Sequence, residues 1–197
     1  FKLVCRRGEL MQEASNAADS AMVAVVKLPP EKVEELAGQF DQVYPVNYNS
    51  PAQTVCAGLS SSMDGFKAAV KAAGGRALPL KVSGAFHSPF MSSAAKGLAE
   101  VLAPMEFAAP SCPLYSNVTA QPYEDSQFKD LLSRQVENPV RWQTIVENMI
   151  AAGVDTFIEV GPGKTLAGLI GKINSDVRAL NVEDAESLKH TIEEVKA

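Results

Sequence analysis

The 197-residue chain has few cysteines and histidines, no long apolar run and no excess of positive charge. It has three cysteines, two histidines and one tryptophan, and no apolar run approaches the ~20 residues of a membrane span. Cys5, Cys56 and Cys112 are far apart and lack metal-ligand spacing, so we expect no metal site and three buried thiols in a reducing compartment. A net charge of −5 argues against nucleic acid as the main partner.

The start of the chain gives an expectation about location and about what precedes it. The start, residues 1–4, lacks signal-peptide anatomy, so we expect a cytoplasmic location, with plastid or mitochondrion left open. There is no initiating methionine, and the chain opens inside a helix-like pattern, which suggests that something is missing upstream. With 46% hydrophobic and 21% charged residues the chain is typical of a globular protein of one or two domains.

The first half of the chain has the element order β-α-β-β-α-β after an initial helix. We predict a helix over 1–18 and then a ferredoxin-like split βαβ module over about 20–81. Its strands are predicted at 21–28, 43–47, 54–58 and 76–82, and its helices at 31–39 and 62–73.

The second half returns to α/β alternation. Helices are predicted at 88–102, with Ser88 as N-cap, at 126–136, at 139–152, after 161–164 as far as Ile173, and at 186–196. Strands are predicted at 113–118, 155–160 and 177–182. The fold class is therefore α/β, with a mostly parallel sheet covered on both faces and an inserted small subdomain.

One histidine is a candidate general base. His87 lies between a strand-like run and a helix start, and the imidazole pKa near ~6.5 suits proton transfer. The other, His190, lies in a charged terminal helix. No Gly-x-Ser-x-Gly elbow occurs, so the base has no obvious nucleophile. From local context alone, a surface or satisfied core histidine is the commoner case.

Five motifs in register resemble a known family, the malonyl-CoA:acyl carrier protein transacylases, over essentially the whole chain. They lie at residues 7–12 (RGELMQ), 47–53 (NYNSPAQ), 84–91 (GAFHSPFM), 134–142 (RQVENPVRW) and 159–164 (EVGPGK). The resemblance implies an α/β-hydrolase-like large subdomain at 1–19 and 82–197, with its N-terminal part missing, and a small subdomain at 20–81. The family's Gly-His-Ser-Leu-Gly elbow should lie upstream of Phe1.

The resemblance also implies a ping-pong mechanism in which a serine carries the acyl group between two thiols. His87 matches the base, and the backbone carbonyl at Gln135 matches the acceptor that orients it. Arg7 matches the residue against the malonyl carboxylate, since a guanidinium offers a planar bidentate fork. Phe86 resembles the pattern that favours malonyl over methylmalonyl, and Met11 is implied in substrate binding.

Several other assignments leave two interpretations open. Arg6 is expected to be a solvated helix charge, and Arg7 could equally form an i,i+4 ion pair. Asn47, Asn49 and Gln53 could be turn chemistry or could contact substrate or the pantetheine arm. Asn117 carries the same alternative.

The implied partners are malonyl-CoA and an acyl carrier protein with its phosphopantetheine; no cofactor is implied. The family's carrier is acidic, so a basic docking patch is a hypothesis, with a solvated helix face equally open. Its members are Lys67, Lys71, Arg76 and Lys81.

The favoured function is malonyl transfer in fatty acid synthesis, with this fragment inactive on its own. The alternatives are an inert carrier-protein or acyl-binding module and an acyltransferase fragment of a polyketide synthase.

Overall fold

The computed structural model describes residues 1–82 and 84–196. Ser83 and Ala197, both inside the predicted large subdomain, lie outside the described residues. The chain forms two compact units, Phe1–Ile145 and Val146–Ala197, and each is described by itself. Among the described residues, no helix combines the length and apolar character that crossing a membrane requires.

The first unit contains four strands and most of the helices. Its elements are α1 (Lys2–Ser15), β1 (Ser20–Val26), α2 (Pro30–Ala37), β2 (Val43–Ser50), β3 (Gln53–Leu59), α3 (Ser60–Ala72), β4 (Arg76–Pro79), α4 (Ser92–Leu102), α5 (Phe128–Arg134) and α6 (Trp142–Ala151), the last of which runs into the second unit. Short 3₁₀ turns precede α4 at Pro89–Met91 and α5 at Asp125–Gln127.

The four strands form one antiparallel sheet in the order β2-β3-β1-β4. Strand β1 lies between β3 and β4, and its register runs from Ser20↔Leu59 to Val26↔Gln53. With α2 and α3 in the crossovers, this is the topology of a split βαβ module. The division of the chain into subdomains at 20–81 and the remainder stays a prediction.

Alternation along β1 places apolar side chains on both faces of this sheet. Val23 and Val25 belong to a core shared with α2 and α3, whereas Met22 and Ala24 belong to a second core on the other face. The second core is completed by residues 85–90, the segment that carries the candidate histidine. The sheet therefore supports the functional loop directly.

A third core joins α1 to α4. Leu10 and Ala14 of α1 pack with Leu98 and Leu102 of α4, at helical spacing on both elements. Phe86 packs against this core and against the second core, the one that contains Met22 and Ala24. The loop before α4 therefore lies where these two cores meet.

The second unit contains a parallel pair of strands. It comprises β5 (Thr156–Val160), α7 (Thr165–Ile173), β6 (Arg178–Val182) and α8 (Ala185–Lys196), with β5 and β6 paired from Thr156↔Arg178 to Val160↔Val182. The strand-helix-strand-helix order predicted here is confirmed, and these two strands are the parallel part of the described sheets.

Three local predictions are wrong. Residues 113–118 form no strand; Tyr115 makes a single bridge to Pro122, because the segment folds into a turn on itself. Ser88 does not cap α4, since its hydroxyl donates to the carbonyl of Ala85 and a 3₁₀ turn follows it. The helix predicted from Pro139 begins at Trp142, because residues 139–141 bond to other segments.

The prediction of three buried thiols also fails for two of them. Cys56 is fully buried in the core that the sheet shares with α2 and α3, where burial raises the pKa of its thiol to about 12. Cys5 lies on the exposed face of α1, and Cys112 lies in an exposed irregular segment after α4. All three cysteines are free thiols.

Candidate active site

The loop that carries His87 is held by a backbone hydrogen bond of the histidine itself and by the burial of its neighbour. His87 adopts a left-handed backbone with φ of 60°, which is uncommon for a residue with a side chain. Its N–H donates to the carbonyl of Val136 at 2.9 Å. The neighbouring Ser88 is almost fully buried. The imidazole direction is therefore set by the fold and not by a free loop.

The His87 ring is oriented by a backbone carbonyl. Its Nδ1 lies 2.9 Å from the carbonyl oxygen of Gln135, and because a carbonyl only accepts, Nδ1 is the protonated nitrogen. Nε2 is then the unprotonated nitrogen of the neutral ring and can accept a proton. Burial lowers the pKa of His87; the backbone of Gln135 and of Asn138 raises it, and the charge of Arg7 lowers it.

Gln135 presents this carbonyl because α5 ends at Arg134. The last carbonyls of a helix have no partner within the helix and remain available to other donors. The backbone N–H of Gln135 still bonds back to Leu131 at 3.0 Å, whereas its side chain amide donates to the hydroxyl of Tyr123 at 3.1 Å. The side chain is thus engaged away from His87, and the main chain faces the ring.

Two neighbouring arginines on α1 have opposite environments. Arg6 is exposed and pairs with Glu9 at 2.9 Å and with Glu13 at 3.8 Å. Arg7 is half-buried, and its Nε is buried with no hydrogen-bond partner among the described residues. Burial lowers the pKa of Arg7, although a guanidinium remains protonated at any ordinary pH. A half-buried guanidinium with one buried N–H left without a partner is suited to an anionic ligand.

Phe86 is the chain neighbour of His87, and Met11 lies four residues after Arg7 on α1. Both are partly buried against the α1–α4 core. The loop approaches α1 very closely at Gly84, where a Cβ would overlap Ser15 Oγ and lie 2.8 Å from Ser15 Cβ. Only a glycine fits there without displacement, so Gly84 sets the distance between α1 and the histidine loop.

The structure places Asn117 with the base and places the other predicted amides on the β2–β3 hairpin. Asn117 Nδ2 lies 3.5 Å from the carbonyl oxygen of Gln135 and 3.3 Å from that of Pro139. Asn47 bridges to Val140, and Asn49 lies at the register shift between Tyr48 and Ser50. Gln53 is the first residue of β3 and pairs with Ser50 of β2.

Sequence reasoning brought out four residues that the structure draws together: His87, Gln135, Arg7 and Asn117. It missed Tyr123, which holds the Gln135 side chain. A tyrosine in an irregular segment carries no signal of such a contact, since the bond depends on how 115–123 folds.

The basic residues proposed for docking lie on α3, on β4 and just after it. Three of them are exposed: Lys71, Arg76 and Lys81. The fourth, Lys67, is partly buried and forms a 2.7 Å ion pair with Asp64. Strand β4 is an edge of the sheet. Across residues 1–82 and 84–196, no group of three or more His, Cys, Asp or Glu is placed to hold a metal ion.

Comparison with known proteins gives matches along the whole chain. The family model described as "Acyl transferase domain" matches residues 1–197. The malonyl CoA-acyl carrier protein transacylase of Bacillus subtilis (strain 168) is 36% identical over 98% of this chain and 63% of its own length. Its namesake in Escherichia coli (strain K12) is 40% identical over 98% of this chain and 64% of its own length.

Solved structures agree closely with this fold. The malonyl CoA-acyl carrier protein transacylase from Clostridium perfringens superposes with a TM-score of 0.94 at 40% identity, covering 99% of this chain and 63% of that one. A malonyl-transacylase in complex with its type II PKS acyl-carrier protein (PlMCAT:AntF) gives 0.93 at 39% identity, covering 98% and 64%. The chain therefore spans somewhat under two thirds of the proteins it matches.

Proposed function

Because the chain belongs to the acyl transferase domain family, we propose that it takes part in transferring a malonyl group from malonyl-CoA to the phosphopantetheine thiol of an acyl carrier protein. One observation carries the proposal: the 2.9 Å contact between His87 Nδ1 and the Gln135 carbonyl, which leaves Nε2 as the unprotonated nitrogen. Arg7, whose charge acts on His87, is half-buried, and its Nε has no hydrogen-bond partner among the described residues. The names of the relatives supply the substrates. The proposed location is the cytoplasm, where free thiols stay reduced.

In the proposed mechanism His87 acts twice. Nε2 first accepts the proton of a serine hydroxyl, the serine oxygen attacks the thioester carbonyl, and the coenzyme A thiolate leaves with the proton that the imidazolium returns. Nε2 then takes the proton of the pantetheine thiol, whose sulfur attacks the malonyl ester and releases the serine, reprotonated by His87. The serine is proposed to lie in sequence outside these 197 residues, so the chain alone is expected to be inactive.

A neutral carbonyl is a sufficient partner for such a base. It fixes the tautomer and the ring plane without placing a negative charge against the imidazole, so it stabilises the imidazolium less than a carboxylate does. Burial and the neighbouring charge of Arg7 both lower the pKa of His87, which keeps the ring neutral and competent to accept a proton at neutral pH.

Arg7 is proposed to bind the free carboxylate of the malonyl group. Its cation is already half-buried, and its Nε lacks a hydrogen-bond partner within residues 1–82 and 84–196, so a carboxylate would satisfy a group that is otherwise costly to desolvate. Phe86 is proposed to crowd an α-methyl branch, and Met11 and Asn49 to complete the substrate surface. An aromatic wall of this kind discriminates by only about 1–3 kcal/mol per methylene-sized change.

The proposal is tested by measuring radiolabelled malonyl transfer to carrier protein in a preparation that includes the flanking sequence encoded with this chain. His87→Ala should nearly abolish transfer, whereas His190→Ala, the matched change at the second histidine, should leave it intact. Retention of most transfer activity in His87→Ala would remove the assignment of the base.

The proposed binding of the malonyl carboxylate by Arg7, here called the carboxylate clamp, is tested with variants of the two adjacent arginines. Arg7→Ala should damage malonyl use more than acetyl use, because acetyl lacks the carboxylate, and Arg6→Ala should affect neither. Since a charge-assisted bidentate contact contributes more than a point charge, Arg7→Lys should recover only part of the malonyl preference. Equal losses for malonyl and acetyl in Arg7→Ala would contradict the clamp.

The carrier protein is proposed to dock on the exposed basic residues of α3 and β4. Charge reversal at Lys71 and Arg76 should raise the KM for carrier protein and leave hydrolysis of the coenzyme A thioester unchanged. Lys96→Glu, at an exposed lysine on α4, is the matched control. If the two reversals leave carrier kinetics unchanged, the docking proposal is wrong.

A second candidate function is supply of malonyl groups to a polyketide carrier. The observation that favours it is the similarity to a malonyl-transacylase solved with its type II PKS acyl-carrier protein. Side-by-side transfer to a fatty acid carrier and a polyketide carrier distinguishes the two pathways. Binding of carrier protein without any transfer, in a preparation that contains the serine, would instead identify an inert binding module.

A further inference from the structure

The carbonyl that orients His87 belongs to a residue just outside a helix, where the peptide plane is free to turn unless something holds it. Gln135 follows the last residue of α5, and its carbonyl oxygen has left the helical ladder. Two side chains from one loop, 115–123, contact this single residue. Asn117 Nδ2 faces the Gln135 carbonyl at 3.5 Å, and the hydroxyl of Tyr123 accepts from Gln135 Nε2 at 3.1 Å.

The loop that supplies both contacts is itself held by hydrogen bonds and by an aromatic contact. Ser116, which is fully buried, donates its N–H to Gln121 at 2.9 Å and accepts from Ala120 at 2.9 Å, closing a tight turn. Tyr123 is bonded through its backbone to Leu114 at 2.8 Å. Its ring stacks on Phe128 of α5 with centroids 5.1 Å apart.

The amide of Asn117 is oriented by its surroundings. Nδ2 faces two carbonyls, those of Gln135 and Pro139, so exchanging Nδ2 and Oδ1 would set an acceptor against two acceptors. Oδ1 is buried with no hydrogen-bond partner among the described residues. A buried acceptor without a partner lowers stability. The contacts of Nδ2 with the two carbonyls therefore account for an asparagine at this position, since its Oδ1 contributes no hydrogen bond.

From these contacts we infer that the loop 115–123 is the positioning element of the base: Asn117 and Tyr123 hold Gln135 so that its carbonyl faces His87 Nδ1. Neither residue touches the reacting atoms; each acts through Gln135. The consequence for catalysis rests on the proposed function, whereas the consequence for the imidazole does not.

The imidazole gives the first test, by NMR titration of His87 Nδ1 and Nε2, with His190→Gln used to assign the two histidines. Asn117→Ala should lower the share of the Nδ1-protonated tautomer and lower the pKa of His87 further, because the bond to Gln135 raises it. Asn117→Asp should raise that pKa by adding a nearby anion. An unchanged tautomer and pKa in Asn117→Ala would overturn the inference.

Two further variants guard against misfolding. Tyr123→Phe removes only the hydroxyl and keeps the ring on Phe128, so it should shift the tautomer in the same direction to a smaller extent. Thr119→Ala, at an exposed residue of the same loop whose hydroxyl accepts only from Gln121, should shift nothing. If Asn117→Ala does not fold, an unchanged tautomer in Tyr123→Phe overturns the inference in its place.

The rate gives the second test, in the preparation that contains the flanking sequence. Asn117→Ala should lower kcat for malonyl transfer about fivefold to tenfold, the factor that one neutral hydrogen bond supplies, with KM for malonyl-CoA unchanged. A raised KM with unchanged kcat would overturn the positioning role and favour contact with substrate. If His87→Ala abolishes transfer while Asn117→Ala is silent, the proposed function survives and this inference fails.

Discussion

Adding one methyl group at Gly84 should destabilise the protein through its contacts with one residue, Ser15. The Cβ of Gly84→Ala would overlap Ser15 Oγ and lie 2.8 Å from Ser15 Cβ. Rotation of the hydroxyl could relieve the first contact, at the loss of its 2.8 Å bond to the carbonyl of Met11. The second contact involves a carbon fixed to the backbone of α1, so the loop or the helix has to move.

The size of the effect follows from overpacking in a buried region. Inserting a methyl group into a filled site costs about 1–3 kcal/mol, and losing the Ser15 hydrogen bond adds about 0.5–1.5 kcal/mol. Gly84→Ala should therefore lower the free energy of unfolding by about 2–4 kcal/mol. Gly8→Ala on α1, where nothing lies within 4 Å, should raise it by about 0.5–1 kcal/mol.

Urea denaturation of the single and double variants isolates the contact. Ser15→Gly removes both atoms that a new Cβ would meet, at a cost of up to about 1 kcal/mol in helix stability. Combined with Gly84→Ala it should restore much of the lost stability, a coupling of about 1–3 kcal/mol. If Ser15→Gly costs the same with and without Gly84→Ala, the close approach is not the cause.

Three other outcomes follow from burial. Burial lowers the pKa of His87, so the unfolded chain binds more protons than the folded chain between that lowered pKa and about 6.5. The free energy of unfolding should therefore rise with pH through this window. In urea titrations at several pH values, His87→Gln should flatten the rise. A thiol reagent should modify Cys5 and Cys112 in the folded chain and reach Cys56 only in denaturant. Phe66→Ala, at a fully buried ring, should cost about 3–5 kcal/mol in the same denaturation assay.

Local sequence patterns predicted most elements because most are locally encoded. The run of small and branched residues in β1 and the proline at the start of α2 are typical of a buried strand and a helix start, and both elements form within one or two residues of the prediction. The failures lie where tertiary contacts override a local pattern. Val140 could continue a helix by composition, yet its N–H donates to Val46 at 2.8 Å and α6 begins two residues later.

The residue types of the candidate site were predictable, and so was the contact between His87 and the backbone carbonyl of Gln135. His87 stands out by its local context, but the pairing with Gln135 and the role of Arg7 come from motif resemblance, since separations in the chain say nothing of a 2.9 Å contact. That contact depends on α5 ending at Arg134, which leaves a carbonyl unpaired at the right point. Tyr123 could not be predicted, because its hydroxyl meets Gln135 only after the intervening turn and helix have folded.

The antiparallel sheet and the base are joined by a short piece of backbone. Val140 accepts from the N–H of Tyr48 at 2.9 Å, so residue 140 extends the edge of β2. One residue earlier, the Pro139 carbonyl accepts from Asn117, whose amide also faces the carbonyl that orients His87. A shift in how β2 holds residue 140 therefore moves a carbonyl that anchors Asn117. Asn47 and Asn49 lie on this same edge strand, so its register bears on the base and, if the proposed substrate contact of these amides holds, on substrate as well.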